Sequence, residues 1–437
     1  MNSGRFDKAV GRIRPGTYIN VDSNKNPVVT YGARGNVLIP LENTWGPNAT
    51  LIKIEATDIS SADALLGNSV RNILLLNEAF KGAATVLVYN FNKGEAAKTV
   101  NTGLTVTAKY PGTRGNDIKL TCKAKAESGY TITVILGTDT VEEFEVATVA
   151  DAIAIESDYV IISGTGELTS LASITLSGGT SEKIAKADVT AMLDAIEDEN
   201  VSAIAFPFTD EDLKAVALSK MKYLRDECGK SIQAVVASCS TADYEGIINV
   251  TNSYALSDGT SLTTAQATAY VAAITAAATE LVSNTYKVVT DADTVVGKKT
   301  NEQAELAIQS GEFFFTQQGD EVIVEYDINS LHTFTPTRSE SYRKNKVIRV
   351  YDAVSDTIRE TFPPNKFPNS SLGWDLMDGL CQTILQHFLD EGAIKDVDLA
   401  NDMKVNRAES AGDSVSFDAR IHAVDAAEKL YFTVITD

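Results

Sequence analysis

Two short apolar segments that alternate with helical patterns constrain the fold of this chain more than any other feature. The segments are Val201–Phe206 and Ile232–Ala237. Helical spacing of apolar residues precedes each of them, at 187–199 and 210–228. Strands that are apolar on both sides belong to parallel sheets covered by helices on both faces. We therefore predict an α/β domain at 181–322.

The preceding segment, 99–180, shows a different pattern, in which apolar and polar residues alternate over short stretches. Turn glycines such as Gly112 and Gly164 separate these stretches. The stretches predicted as strands are Leu104–Tyr110, Ile118–Lys123, Tyr130–Leu136, Val141–Val146 and Ala172–Leu176. Many short alternating strands are typical of a β-sandwich. We expect this sandwich to be an insertion that projects from the rest of the molecule.

Residues 26–98 are predicted to form a smaller α/β unit. The pattern predicts a strand at Val37–Leu41, a helix at Ser69–Lys81 and a buried strand at Ala84–Tyr89. Trp45 follows the first strand. Because a lone tryptophan usually contributes buried apolar area and a hydrogen-bonded N–H, we expect Trp45 in the core or in an interface.

Residues 323–437 are predicted to form an α+β C-terminal domain. Its long helix, Ser371–Glu391, carries two apolar rows, which predicts burial on more than one side. The predicted strands are Val322–Tyr326, Val347–Tyr351, Val415–Val424 and Glu428–Thr436. The last strand could pair within the chain or reach outward to another molecule.

The charge of the chain bears on its partners. It contains 38 Lys and Arg against 59 Asp and Glu, so the net charge is −21. A protein this acidic repels nucleic acid and anionic membranes, and we expect it to bind neither. The four cysteines have neither metal-binding nor redox spacing, and reduced thiols are the favoured interpretation over two disulfides. No secretory signal pattern or apolar run of about 20 residues is present, so we expect folding in a cytoplasm.

The first 25 residues differ in charge from the rest. This segment contains one acidic residue, Asp7, and four basic residues, Arg5, Lys8, Arg12 and Arg14. One interpretation is a frayed terminus. The other is an arm that docks on an acidic neighbour, where 17–21 would pair with the edge of another subunit's sheet.

The sequence offers no recognisable catalytic site. A candidate phosphate loop at Gly297–Thr300 fails because Ala292 replaces its first glycine and Lys299 stands where Ser or Thr is required. The three histidines, His332, His387 and His422, all lie in the last domain. The α/β segment therefore lacks the imidazole that a Ser-His-Asp relay needs. His332 and His387 are predicted to be structural, and we expect neither a metal nor a cofactor.

Several motifs together resemble one protein family. They are RPGTYINV at 14–21, PGTRGNDI at 111–118, ATAYVAAITAAA at 267–278, EYDINSLHTFTP at 325–336, KNKVIRVYD at 344–352, ES-x-x-DSV at 409–415 and DAAEKLYFTV at 425–434. In order and number these motifs resemble the tail sheath proteins of contractile phages, especially those of phages and prophages of Gram-positive bacteria. Sheaths of phage-tail-like bacteriocins are related.

The resemblance implies an α+β multidomain fold, in which a subtilisin-like α/β domain carries an inserted β-sandwich and an α+β C-terminal domain. The implied divisions are an arm at 1–25, an α/β sheath N-terminal domain at 26–98, the sandwich at 99–180, the subtilisin-like domain without a triad at 181–322, and the C-terminal domain with a linking strand at 323–437. Such a domain would keep a fold without its chemistry.

The resemblance also implies a function and partners. Sheath subunits polymerise as stacked hexameric rings around a tail tube protein, contract, and drive the tube through the bacterial envelope. Baseplate and tail terminator proteins are further implied partners, and the implied location is the virion, after assembly in the host cytoplasm. The residues that would be exchanged as strands between subunits are Tyr18, Ile19, Asn20, Val21, Lys429, Leu430, Tyr431, Phe432, Thr433, Val434 and Ile435.

Two other functional classes remain open at this point. A hydrolase-like enzyme on the α/β domain would have to use carboxylates such as Asp151 and Glu156, and no spacing selects a pair. A surface adhesin or S-layer protein would suit the β-sandwich, but the missing signal peptide disfavours it.

Overall fold

The computed structural model describes residues 35–435, and the fold is a mixed α+β arrangement of several sheets. Its first elements are β1 (Asn36–Glu42), β2 (Thr50–Glu55), α1 (Asp63–Leu66), α2 (Leu74–Ala79) and β3 (Thr85–Phe91). The helix predicted at Ser69–Lys81 is shorter than expected. A 3-10 turn occupies Val70–Asn72, and extended backbone at Ile73 separates it from α2.

A β-sandwich follows, as predicted. Its elements are β4 (Lys98–Asn101), β5 (Leu104–Ala108), β6 (Ile118–Ala124), β7 (Tyr130–Leu136), β8 (Asp139–Val146), α3 (Val149–Ile153), β9 (Val160–Gly164) and β10 (Leu171–Thr175). One sheet has the order β10-β6-β7-β8 and the other β4-β5-β9. Their inner faces share one core, which includes Val106, Leu120, Val134 and Ile162.

The chain then alternates between helices and strands. The elements are α4 (Lys186–Ala195), β11 (Ala203–Phe206), α5 (Glu211–Asp226), β12 (Gln233–Ala237), β13 (Ile247–Val250), β14 (Ser253–Leu256), α6 (Thr264–Ala277), β15 (Ala292–Val296), α7 (Asn301–Gln309), β16 (Glu312–Phe313), β17 (Phe315–Gln318) and β18 (Glu321–Val324). The predicted helices at 187–199 and 210–228 are both present, each with a shorter C-terminal end.

The largest sheet has seven strands in the order β16-β13-β12-β11-β1-β3-β2. Its neighbouring strands are parallel except for β2 and β3. Alternate residues of β1 show how both faces are covered: Val37 and Ile39 share a core with α6, and Leu38 shares another with α4 and α5. The predicted parallel sheet with two covered faces is confirmed. Strands from both 26–98 and 181–322 form this one sheet. The domain boundaries given in the sequence analysis stay a prediction.

The C-terminal elements are α8 (Asn345–Thr361), α9 (Ser371–Asp390), β19 (Met403–Ala411) and β20 (Ser414–Ala419). The strand predicted at Val347–Tyr351 is wrong, because these residues lie in α8. Every residue from Arg343 to Val350 is buried. A short run that is buried on all sides has no distinguishing period, so a helix and a strand cannot be separated by pattern there.

Two further expectations for this region need correction. The strand predicted at Val415–Val424 ends at Ala419. The segment predicted as a strand at Glu428–Thr436 has no strand partner among residues 35–435, so its pairing with another molecule stays a prediction. Helix α9 is buried by Cys381 and Ile384 in its second half, but Leu372 is 79% exposed at its start. Leu376, in the same apolar row, is 55% exposed, so the expected burial of the helix on more than one side is wrong for the first half of α9.

Candidate assembly interface

The end of the described chain is an exposed apolar segment. Leu430, Tyr431, Phe432, Val434 and Ile435 are each 68% to 89% exposed. Single exposed apolar side chains are ordinary, but a contiguous group of large ones usually marks a surface that another molecule covers. We therefore treat 429–435, the C-terminal segment, as the centre of a candidate interface.

The backbone of the C-terminal segment is also free to pair. Among the described residues, no backbone hydrogen bond joins 425–435 to the rest of the molecule. The last such bonds involve the His422 carbonyl, which accepts from Lys395, and the Val424 N–H, which donates to Ala393 at 2.8 Å. Free N–H and C=O groups on an extended segment are what a sheet edge requires to add a strand.

Glu428 fixes the chain immediately before this segment. Its Oε1 accepts hydrogen bonds from Ser283 Oγ at 2.7 Å and from Thr285 Oγ1 at 2.6 Å. Its Oε2 forms an ion pair with Lys344. The side chains of Lys344 and Glu428 are only 7% and 9% exposed. Burial lowers the pKa of Lys344, and the nearby carboxylates of Asp425 and Asp327 oppose that shift.

The loop after α6, which contains Ser283 and Thr285, is also hydrogen-bonded to a second residue with a buried carboxylate, Asp327. Asp327 donates its N–H to Thr285 Oγ1 at 3.0 Å. Its own carboxylate accepts from the Asn284 N–H, from Asn345 Nδ2 and from Arg349 Nη2, at 2.8–2.9 Å. Burial alone would raise the pKa of Asp327, but the Arg349 charge and these hydrogen bonds outweigh it, and the pKa is lowered. The loop after α6, helix α8 and Glu428, the residue directly before the C-terminal segment, thus share one polar network.

A second part of the candidate interface is the hairpin of β19 and β20. It forms a two-stranded sheet, and both of its outer edges lack a partner strand among residues 35–435. Asp378 on α9 accepts the Val405 N–H at 2.7 Å and pairs with Arg407, so the hairpin is held on the helix. A two-stranded sheet is marginal by itself and gains stability when strands are added.

The structure places the predicted exchange residues in two groups. Tyr18, Ile19, Asn20 and Val21 lie outside the described residues, together with the whole arm at 1–25. Lys429–Ile435 is exposed and unpaired, as described above. Their exchange between subunits remains a prediction. Sequence reasoning missed the anchor of Glu428, Ser283, Thr285 and Lys344, because nothing in the local pattern connects positions more than 80 residues apart.

The residues considered for catalysis have structural partners instead. His332 Nδ1 lies 2.9 Å from the Ser330 carbonyl, in agreement with the predicted structural role of this histidine. His387 is exposed on α9 beside Glu391. Asp151 caps α3, and hydrogen bonds from Thr148 lower its pKa. Trp45 is fully buried, and its Nε1 donates to the Ala64 carbonyl at 3.0 Å, as expected for a core residue.

Across residues 35–435, no group of three His, Cys, Asp or Glu side chains is arranged to hold a metal ion. All four cysteines are free thiols. None of the helices in the described part of the chain has the length and apolar character needed to span a bilayer.

Comparison with protein-family models matches nearly the whole described chain. The "Tail sheath protein Gp18 domain III N-terminal region" matches 34–90, and the "Phage tail sheath protein beta-sandwich domain" matches 92–182. The "Phage tail sheath protein central domain" matches 182–330, and the "Phage tail sheath C-terminal domain" matches 337–436.

Individual relatives agree with the family models. The uncharacterized protein YqbK and the phage-like element PBSX protein XkdK, both of Bacillus subtilis strain 168, are each 33% identical over 99% of this chain and 99% of their own length. A crystal structure of a sheath tail protein from Desulfitobacterium hafniense is 37% identical, with a TM-score of 0.85 over 96% of this chain and 99% of that one.

One further structure shares the fold at low identity. The helical sheath of the anti-feeding prophage in its contracted state is 14% identical, with a TM-score of 0.57 over 97% of this chain and 99% of that one. Together with the motifs and the domain matches, the 33% and 37% identities over nearly full length establish the family. The chain belongs to the phage tail sheath protein family, and it is a structural protein of a phage or prophage tail, not an enzyme.

Proposed function

We propose that this chain polymerises as stacked hexameric rings around a tail tube and contracts to drive the tube through a bacterial envelope. The observation that carries the proposal is the C-terminal segment. It is apolar and exposed, it has no strand partner among residues 35–435, and Glu428 anchors the chain directly before it. A fold shared with a contracted helical sheath supports the same conclusion.

The links between subunits are proposed to be exchanged strands. Lys429–Ile435 would leave one subunit and pair with a sheet edge of the next, and Tyr18–Val21 would do the same from the arm. The outer edge of β20, which has no partner strand among the described residues, is a suitable acceptor, because an added strand would turn a marginal hairpin into a larger sheet. Backbone pairing of this kind can persist while rigid domains move, as a change between two packings requires.

The remaining partners and the location follow from the same proposal. The tail tube protein would lie inside the sheath, and baseplate and tail terminator proteins would close its ends. Assembly would take place in the cytoplasm of the bacterial host before the particle is released. The predicted likeness of the α/β domain to subtilisin would concern its fold alone, since 181–322 contains no histidine.

Negative-stain electron microscopy of the purified protein tests this function. We expect hollow tubes or rings of uniform diameter from the wild type. Deletion of residues 1–22, or deletion of the residues after Lys429, should abolish or shorten them. Monodisperse small particles from the concentrated wild type would contradict the proposal.

A matched pair of point variants tests the pairing itself. Val434→Pro removes the backbone N–H that a strand would donate, whereas Val434→Thr keeps it and keeps a β-branched side chain. We expect loss of tubes only with Val434→Pro. Equal assembly of the two variants would mean that backbone pairing at this residue is not the link.

A further inference from the structure

Glu428 and Val424 hold the end of the chain at two different places. Val424 is hydrogen-bonded to Ala393, at the C-terminal end of α9, and Ala423 forms a bridge with Ile394. Glu428 is bonded to Ser283 and Thr285, in the loop after α6. The first attachment is made by backbone groups of the C-terminal elements, and the second by one side chain against the α/β domain.

Between these two attachments, the described chain has one side-chain contact to the rest of the molecule, made by Asp425. Asp425 contacts Lys344 at 3.9 Å and accepts the N–H of its own neighbour Ala426. Ala427 is exposed. No backbone hydrogen bond joins 425–428 to the rest of the described chain. Loss of the Glu428 contacts would therefore free this stretch as far back as Asp425.

We propose that Glu428 is a releasable latch that sets the free length of the C-terminal segment. This inference rests on the proposed function, since it concerns the regulation of the same link. With the latch closed, the free segment begins at Lys429. With the latch open it begins at Ala426, and three additional extended residues add about 10 Å of reach.

Two of the residues that bind Glu428, Ser283 and Lys344, have other partners nearby, which lowers the cost of breaking the Glu428 contacts. Ser283 Oγ and Thr285 Oγ1 lie 3.1 Å apart and hydrogen-bond to each other. Lys344 keeps the Tyr326 ring, 4.1 Å from its Nζ, and the Asp425 carboxylate nearby. A buried donor that loses its acceptor is costly, so the remaining acceptor of Ser283, which is Thr285 Oγ1, and the remaining partners of Lys344 lower the cost of opening.

An adjustable link suits the movement that the proposed function requires. When neighbouring subunits change their spacing, a strand paired in the next subunit must either slip or gain length. Slippage by one residue would turn every side chain of the strand to the opposite face. Release of the latch supplies length while the register of the paired strand is kept.

Spin-label mobility measures the latch directly in the full-length chain before any assembly. Cys228, the exposed thiol, is first replaced by Ser, and a nitroxide is attached at Ala427→Cys or at His422→Cys. Position 427 lies between the two attachments, and 422 lies before both. The spectrum of each label is then recorded with and without Glu428→Ala. The control variant is Glu391→Ala, which removes an exposed carboxylate elsewhere.

We expect the spectrum at 427 to change from immobilised to mobile with Glu428→Ala, and not with Glu391→Ala. The spectrum at 422 should remain immobilised in all variants. An unchanged spectrum at 427 would overturn the latch, and so would mobility at both positions, which would mean that Glu428 merely stabilises the C-terminal elements.

Microscopy of the same proteins separates the two proposals: tubes with an unchanged spectrum at 427 would refute the latch alone. A mobile 427 in Glu428→Ala without any wild-type tubes would refute the proposed function alone.

Discussion

Asp327 and Arg349 form a buried ion pair that joins the α/β domain to helix α8. Asp327 Oδ2 and Arg349 Nη2 are 2.9 Å apart, and the two side chains are 1% and 9% exposed. Arg349 also donates to the carbonyls of Thr279 and Val282, in the loop that carries Ser283 and Thr285. The pair therefore fixes both α8 and the loop that binds Glu428.

Removal of the Asp327 carboxylate should be strongly destabilising. We expect Asp327→Ala to lower the free energy of unfolding by about 3–5 kcal/mol, because Arg349 would remain as an uncompensated buried charge. Lys53→Ala is the control, since Lys53 and Glu55 form an exposed pair at 2.9 Å whose loss should cost less than about 1 kcal/mol. Urea denaturation followed by circular dichroism measures both. Similar losses for the two variants would contradict the role assigned to Asp327.

The same carboxylate predicts an acid-dependent stability. The pKa of Asp327 is lower in the folded protein than in the unfolded chain. Its ionised form therefore stabilises the fold above the unfolded pKa of about 3.9, and this contribution is lost as the pH falls through the lower folded value. We expect the difference in unfolding free energy between wild type and Asp327→Asn to be largest near pH 7 and to shrink on acidification. A constant difference from pH 7 to pH 3 would contradict this prediction.

Gly67 is required for the packing of Trp45. It ends α1 with φ +65°, and a Cβ added to it would lie 2.5 Å from Trp45 Cγ. Gly137 has a similar φ of +68°, but nothing lies within 4 Å of its Cβ position. Gly67→Ala and Gly137→Ala share a backbone cost of about 1–2 kcal/mol, and only the first adds a steric conflict.

The measurement for this pair is the thermal midpoint of each variant, together with Trp fluorescence. We expect Gly67→Ala to be the less stable of the two and to change the emission of the buried indole. Equal midpoints and unchanged emission in both would show that the close approach to Trp45 is not a constraint.

The sequence predicted the sheets of the molecule better than the contacts between segments that are distant in the chain. Alternation over 104–146 identified strands of the sandwich correctly, because one face of each strand is buried and the other is not. Val347–Tyr351 was assigned to the wrong element, because burial on all sides removes that signal. The partners of Glu428 were not predictable, since Ser283 and Thr285 reach it only through the fold. Whether Lys429–Ile435 pairs with a neighbour also depends on a second molecule, and no pattern within one chain contains that information.

The four cysteines should differ sharply in reactivity. Cys228 is exposed, whereas Cys122, Cys239 and Cys381 are buried. Burial raises the pKa of the Cys381 thiol to about 11, which further lowers its thiolate fraction at neutral pH. We expect one rapidly reacting thiol per native chain with a colorimetric disulfide reagent, four after denaturation, and none in native Cys228→Ser. More than one fast thiol in the native wild type would contradict the buried positions.

The two halves of α9 should respond differently to truncation of an apolar side chain. Ile384 lies in the core shared with α8, and Ile384→Ala should cost about 2–5 kcal/mol of unfolding free energy through the cavity that it leaves. Leu372 is 79% exposed at the start of the same helix, so Leu372→Ala should change the stability of the unassembled chain by no more than about 0.5 kcal/mol. Both substitutions replace a branched apolar residue with the best helix former, so the difference between them reports burial rather than helix propensity. Urea denaturation of the two variants under identical conditions provides the comparison, and a cost for Leu372→Ala as large as that for Ile384→Ala would mean that the first turn of α9 is buried in the free subunit.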